Sequence, residues 1–183
     1  MATQQPWQRT HWSDAAQIAQ LVDPDTVPAA AAGLLPHDWF GRLLGEDRLA
    51  DAVKFLAHAL PRYECTVWAV QSLIAMGAVD RRDPLVVAAM RWADQPTDEL
   101  RRAAATLAEQ TRGNSPARLL AETVMLSGGS LAPIDTPAVL PLPDTCAKLA
   151  SGAILTGAFT LSDPKAALRR ALAMGEAIAA GQR

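Results

Sequence analysis

Apolar residues recur at three- and four-residue steps along most of the chain, and this spacing places them on one face of a helix. The clearest stripe consists of Leu49, Val53, Leu56 and Leu60. The next stretch, residues 60–95, holds two such runs joined by a polar turn, which we interpret as a central antiparallel hairpin. The pattern predicts an all-α fold built from helical hairpins.

Prolines and short polar residues mark where these helices begin. A proline at the first helical position costs nothing, because the N–H it lacks has no partner there. The pairs Asp83-Pro84, Ser115-Pro116 and Asp163-Pro164 therefore predict three helix starts, and Ser13-Asp14 and Thr97 predict two more caps. These signals divide residues 1–183 into about seven helices of a single compact bundle.

Two stretches do not fit a helix. Residues 1–12 form an irregular arm with two tryptophans, and residues 130–143 contain four prolines, which predict an extended linker before the last two helices. The linker's apolar residues predict that it lies across the bundle surface. Long loops often contact partners, although simple bridging between helices is the alternative. The candidate partner-binding residues are Trp7, Trp12, Trp39, Ile134, Val139 and Leu140.

Composition supports a helical protein and disfavours two classes of partner. Half of the residues are hydrophobic and about a fifth are alanine, the best helix former. The net charge of −2 argues against nucleic acid. The uncharged run at 149–161 is too short to cross a membrane, so we expect no membrane partner. The N-terminus lacks a basic region followed by an apolar one, which predicts a cytoplasmic protein.

The two cysteines and the Arg-Arg pairs each have a simple structural interpretation. We expect Cys65 and Cys146 to be buried free thiols on helix faces, with a disulfide as the less favoured alternative. Arg81-Arg82 and Arg101-Arg102 have acidic residues close by, which predicts exposed helix surface with local ion pairs.

No motif predicts a metal or a cofactor. His11, His37 and His58 lie far apart, and none has a second ligand at the spacing of a zinc motif. The segment 127–130, Ser-Gly-Gly-Ser, closes a helix and lacks the Lys-Ser/Thr ending of a phosphate loop. We therefore assign no catalytic, cofactor-binding or metal-binding residue, and whether the chain is an enzyme is left open, leaning to no.

A site formed by polar groups that converge only in three dimensions is an alternative. Two of its candidates lie in residues 34–40, which we expect to be a loop anchored by aromatic residues ahead of the next helix. The candidates are Glu64, His37, Asp38, Arg81, Arg82 and Asp83.

Three segments, residues 60–73, 91–109 and 120–133, resemble an uncharacterised family of small all-helical bacterial proteins that is loosely associated with type VI secretion gene clusters. The resemblance covers about residues 45–160. It implies an accessory role near a secretion apparatus and brings no catalytic residues with it.

These observations favour a non-enzymatic protein-interaction module, most simply an adaptor or chaperone-like accessory protein of a type VI-like secretion system. The alternatives are a small-ligand binder or enzyme, and an immunity protein that neutralises a toxin. The expected partner is another protein. Self-association is a further possibility, because the helix predicted at 144–161 offers an alanine-rich face to a second copy.

Overall fold

The computed structural model describes residues 7–182. Within this range the chain forms nine α-helices and no strand, which confirms the all-α prediction with a helix count close to the expected seven. The helices are α1 (Ala15–Val22), α2 (Pro36–Gly45), α3 (Leu49–Ala59), α4 (Arg62–Ala75), α5 (Pro84–Asp94), α6 (Asp98–Gln110), α7 (Pro116–Met125), α8 (Thr145–Phe159) and α9 (Pro164–Ala179), with a 3-10 turn at Ala29–Ala31.

The predicted caps begin the helices as expected. The side chains of Asp83, Ser115 and Asp163 each accept a hydrogen bond from a backbone N–H in the first turn, and a proline follows each of them. Thr97 caps α6 in the same way, and Asp14 forms a full capping box at the start of α1. Each such bond satisfies an N–H that the helix leaves unpaired, which is worth about 1 kcal/mol.

One expected loop is a helix instead. Residues 36–45 form α2, which begins at Pro36 and buries Trp39, Phe40 and Leu43 on one side. The aromatic pair was correctly expected to anchor this segment. Burial of these large aromatic side chains on one face stabilises the helical turns that carry them. The anchoring residues therefore lie in a helix and not in a loop.

Helix α8 lies among α3, α4, α7 and α9, and α4 packs more extensively on α8 and α9 than on α5. The centre of the fold is therefore the α4–α8–α9 contact, not the α4–α5 hairpin expected from sequence. A Cβ atom at Gly157 of α8 would lie 2.5 Å from the side chain of Leu73 of α4, so a larger residue there would require Leu73 to move. The alanine-rich face of α8 is buried within the chain and is not available to a second copy.

None of the helices in the described part combines the length and hydropathy that a bilayer crossing requires.

Trp68 joins α4 to α9 in the middle of the core. Its side chain is fully buried, and its indole N–H donates a 2.7 Å hydrogen bond to the carbonyl of Ala171. Gly175, one turn further along α9, lies against the same indole, and a Cβ atom there would lie 2.6 Å from its Nε1. The tryptophan thus fills space that a side chain on α9 would otherwise take.

We predict opposite effects from two glycine-to-alanine changes. Gly175→Ala is expected to lower the free energy of unfolding by about 1–3 kcal/mol, because the new methyl group overlaps Trp68 and Leu56. Gly152→Ala on α8 is the matched control, since a Cβ atom there meets no neighbouring atom within 4 Å. It is expected to raise stability by about 0.5–1 kcal/mol through helix propensity. Urea unfolding followed by circular dichroism measures both. Equal effects of the two changes would contradict the close contact at Gly175.

Candidate functional site

The most unusual surface of the molecule is a segment that we call the apolar loop, residues 133–142. Four of its side chains are largely exposed: Ile134 (83%), Leu140 (71%), Leu142 (71%) and Val139 (55%). Only Pro141 is buried. The linker was expected to cover the bundle with these residues, and they face solvent instead. Several exposed apolar side chains in one short segment commonly mark an interaction site.

The apolar loop has a defined shape although it contains neither helix nor strand. The backbone N–H of Leu131 donates a 2.7 Å hydrogen bond to the carbonyl of Val139, and the Val139 N–H donates to the hydroxyl of Ser130 at 3.1 Å. At the tip, the Thr136 hydroxyl donates to the carbonyl of Pro133 at 2.8 Å. These bonds close the segment into a compact turn.

Arg101 holds the base of the loop from α6. Its side chain is only 4% exposed, and its guanidinium donates to the carbonyls of Met125 at 2.9 Å and Ser130 at 2.7 Å. Two further bonds, of 2.8 and 2.6 Å, reach one carboxylate oxygen of Asp98. The guanidinium therefore ties the end of α7 and the start of the linker to the first turn of α6.

Arg102 extends this arrangement on the solvent side. It donates to the other Asp98 oxygen at 2.7 Å and to the carbonyl of Ala132 at 3.1 Å. The hydrogen bonds from Arg102 and then Arg101 hold the pKa of Asp98 below its usual value, so this carboxylate remains ionised. We call Asp98, Arg101 and Arg102 the arginine clamp.

Gly129 shows how closely the linker approaches the clamp. Its φ of +66° lies in the left-handed region that favours glycine. A Cβ atom there would lie 2.8 Å from the Asp98 carboxylate and 2.9 Å from Nε of Arg101. The sequence predicted only that this glycine helps to end a helix. It also lets the backbone reach the buried guanidinium.

The two halves of the predicted partner-binding set occupy different environments. Trp7 and Trp39 are buried, with 8% and 5% of their surfaces exposed, and Trp12 is half-buried with its indole N–H on the carbonyl of His58. Trp7 and Trp39 therefore pack within the bundle, whereas Trp12 keeps part of its surface exposed. Ile134, Val139 and Leu140 are on the surface, as described above. Leu142 joins them and was missed, although its place between two prolines gave the same signal.

The structure does not bring the six polar candidates together. They lie in three places: His37 and Asp38 in the first turn of α2, Glu64 on α4, and Arg81, Arg82 and Asp83 at the start of α5. Within residues 7–182, no hydrogen bond or ion pair joins one of these places to another. His37 and Asp38 approach to 3.4 Å, and Glu64 instead pairs with Arg9 at 2.9 Å. A ligand site made by these six residues would require their side chains to lie close together, and they do not.

His58 is buried beside a cleft of about 240 Å³. Its Nδ1 lies 2.8 Å from the carbonyl of Lys54, which can only accept, so Nδ1 carries the proton. Burial lowers the pKa of His58 below its ordinary value of 6.5, because desolvation disfavours the charged ring. The imidazole is therefore neutral at pH 7.

Both cysteines are buried free thiols, as predicted. The neighbouring Cys146 thiol and then burial raise the pKa of Cys65 well above its ordinary value, so Cys65 remains protonated. A protonated thiol is a weak nucleophile. Across the described part of the chain, no three His, Cys, Asp or Glu side chains are grouped so that they could hold a metal ion.

The fold and this surface define a small all-α bundle that displays a shaped apolar loop. The chain belongs to a family of unknown function, DUF6931, whose model matches residues 39–179. The match includes the whole region in which the sequence resembles an uncharacterised helical family, and it names no system in which the members act. Neither a curated protein nor a solved structure matches the chain.

We predict that the arginine clamp stabilises the loop. Arg101→Ala removes the donors to the Met125 and Ser130 carbonyls and is expected to lower the free energy of unfolding by about 1–3 kcal/mol. Limited proteolysis should cut residues 130–143 faster in this variant than in the wild type. Arg112→Ala, at an exposed arginine with no hydrogen bond in the structure, is the control. If both variants behave alike, the clamp does not hold the loop.

We also predict that His58 makes stability depend on pH. Below about pH 6.5 the unfolded chain binds a proton that the folded chain disfavours, so the free energy of unfolding falls as the pH is lowered, by up to about 1.4 kcal/mol per pH unit. His58→Gln should remove this contribution between pH 7 and pH 5, whereas His11→Gln, at an exposed position, should keep it. Urea titrations at several pH values measure the slope. An unchanged slope in His58→Gln would assign the dependence to other groups.

Proposed function

We propose that the chain is a non-enzymatic protein-interaction module and that the apolar loop is its binding element. The observation that supports this most directly is the combination of four exposed apolar side chains with a backbone that the arginine clamp already fixes. Ordering a loop upon binding costs free energy, and a loop that is ordered beforehand avoids much of this cost. The geometry therefore favours a surface prepared for contact.

The chemistry of the loop indicates what kind of surface it meets. Asp135 is the only charged residue within 133–142. The centres of protein interfaces are depleted of charge, because charged groups are costly to desolvate there. Leu140 and Leu142 have the aliphatic side chains that fill an apolar pocket. We expect the partner to present an apolar groove.

The biological setting is a wider part of the same proposal. We propose an adaptor or chaperone-like accessory role in the cytoplasm of a bacterium, beside a secretion system of the type VI kind. The support for this setting is the sequence resemblance over about residues 45–160. The exposed loop fits such a role, since an adaptor needs a surface that another protein can cover.

We predict that one substitution in the loop removes binding. The tagged full-length chain, co-expressed with the products of neighbouring genes, is expected to capture one of them, and Leu140→Asp should weaken this capture at least about tenfold. Phe159→Asp is the matched control, because Phe159 is an apolar side chain of similar exposure (67%) that lies outside the loop. Quantitative pull-down with the purified partner measures the effect. Capture that survives Leu140→Asp, or a wild-type chain that captures none of these products, would contradict the proposal.

A further inference from the structure

The cleft beside His58 lies where the end of α3 and the starts of α4 and α8 meet α1 and the segment before it. We call it the His58 cleft. An apolar pocket that contains a few polar groups is the usual form of a small-molecule site. None of the residues that line this cleft lies within the apolar loop, so it is a separate feature of the surface. Most of its wall is apolar and is formed by Trp12, Leu21, Leu60, Pro61, Pro143 and Ala147.

His58 contributes an unpaired hydrogen-bond acceptor to the wall of this cleft. Its Nδ1 donates back to the carbonyl of Lys54, one turn earlier on α3, so Nε2 at the tip of the ring carries no proton and can only accept. Only 7% of the residue is exposed, and among residues 7–182 nothing donates a hydrogen bond to Nε2. A buried acceptor without a donor is costly, so a molecule that supplies a donor there gains binding free energy.

Trp12 is the part of the wall that can give access to this acceptor. Nε2 itself is closed to solvent, so a ligand reaches it only when a neighbouring side chain moves. Trp12 is half-buried, precedes α1 in an irregular segment, and donates its indole N–H to the carbonyl of His58 at 3.1 Å. A side chain in an irregular segment moves at a smaller cost than one inside a packed helix. The indole ring also offers an aromatic face to a ligand.

The size and charge of the cleft indicate the class of molecule that fits it. An apolar cavity of about 150 Å³ takes up benzene, so a volume of about 240 Å³ corresponds to roughly ten non-hydrogen atoms. A bicyclic aromatic ring has this size. A charged group on the ligand would be costly to bury against the apolar wall. The charged residues that line the cleft, Arg62 and Asp144, have opposite signs and favour neither an anion nor a cation.

We propose that the His58 cleft binds a small neutral aromatic molecule of one or two rings that carries a single N–H or O–H donor. The donor bonds to Nε2 of His58, and the ring packs between Trp12 and the aliphatic part of the wall. The unpaired acceptor determines that the ligand has a donor, and the apolar wall determines that the rest of it is a ring. This site goes beyond the proposed protein contact of the apolar loop and does not depend on it.

Two probe molecules of the same shape test the role of the acceptor. Indole and benzofuran have matching ring systems, and only indole has an N–H. Isothermal titration calorimetry of the purified full-length chain is expected to show that indole binds at least about tenfold more tightly, because only indole pairs with Nε2. His58→Leu should remove this difference. His11→Leu, the same change at an exposed histidine that also lines the cleft, should preserve it.

Nitrogen chemical shifts test the same contact without a substitution, and so apply even if His58→Leu fails to fold. In a long-range proton–nitrogen correlation spectrum of the wild-type chain, indole is expected to shift the Nε2 resonance of His58, because a hydrogen bond to a ring nitrogen changes its electronic environment. Benzofuran fills the same space without donating and should leave this resonance nearly unchanged.

Three results would overturn the inference. The first is a wild-type chain that binds neither probe. The second is equal affinity for indole and benzofuran, since the cleft would then act only as an apolar surface. The third is a preference for indole that persists in folded His58→Leu, which would place the acceptor elsewhere. None of these results bears on the apolar loop, whose proposed function is tested separately by capture of a partner through Leu140.

Discussion

The structure depends on how closely its helices approach across small residues. Helix α8 can lie among four other helices because Gly157 leaves space for Leu73, and α9 can pack on α4 because Gly175 leaves space for Trp68. The indole hydrogen bond from Trp68 to Ala171 then fixes the position of α9 along α4. Interiors of this density respond to single methyl groups, so these contacts define the rigid body on which the surface features are built.

The apolar loop is the exception to this close packing, and two opposing constraints explain it. Hydrophobic side chains such as Leu140 gain free energy when they leave water, which favours collapse onto the bundle. The prolines restrict the backbone conformation, and the guanidinium of Arg101 fixes the base of the loop at Ser130. The side chains therefore remain in solvent on an ordered backbone. That combination is the physical basis for assigning an interaction function to this surface.

Sequence reasoning located the exposed linker residues because their signal was local. Four prolines in 130–143 indicated a linker, and its residues Ile134, Val139 and Leu140 are exposed. The same reasoning gave Trp7 and Trp39 as candidate contact residues, and both are buried, because Trp7 packs against Phe40 and Phe55 and Trp39 lies on the buried face of α2. The buried role of Arg101 was also missed. Its carbonyl partners lie 24 and 29 residues away, beyond the reach of any local pattern.

The sequence by itself determined the helical class, most of the helix boundaries and the place where helix formation stops. Caps, prolines and apolar periodicity act within one or two turns, so their effects can be read along the chain. Only the tertiary structure decided which faces are covered: it placed His58 inside, moved the centre of the fold to the α4–α8–α9 contact and left the loop outside. Burial depends on contacts between residues distant in sequence, and those contacts form only when the helices pack.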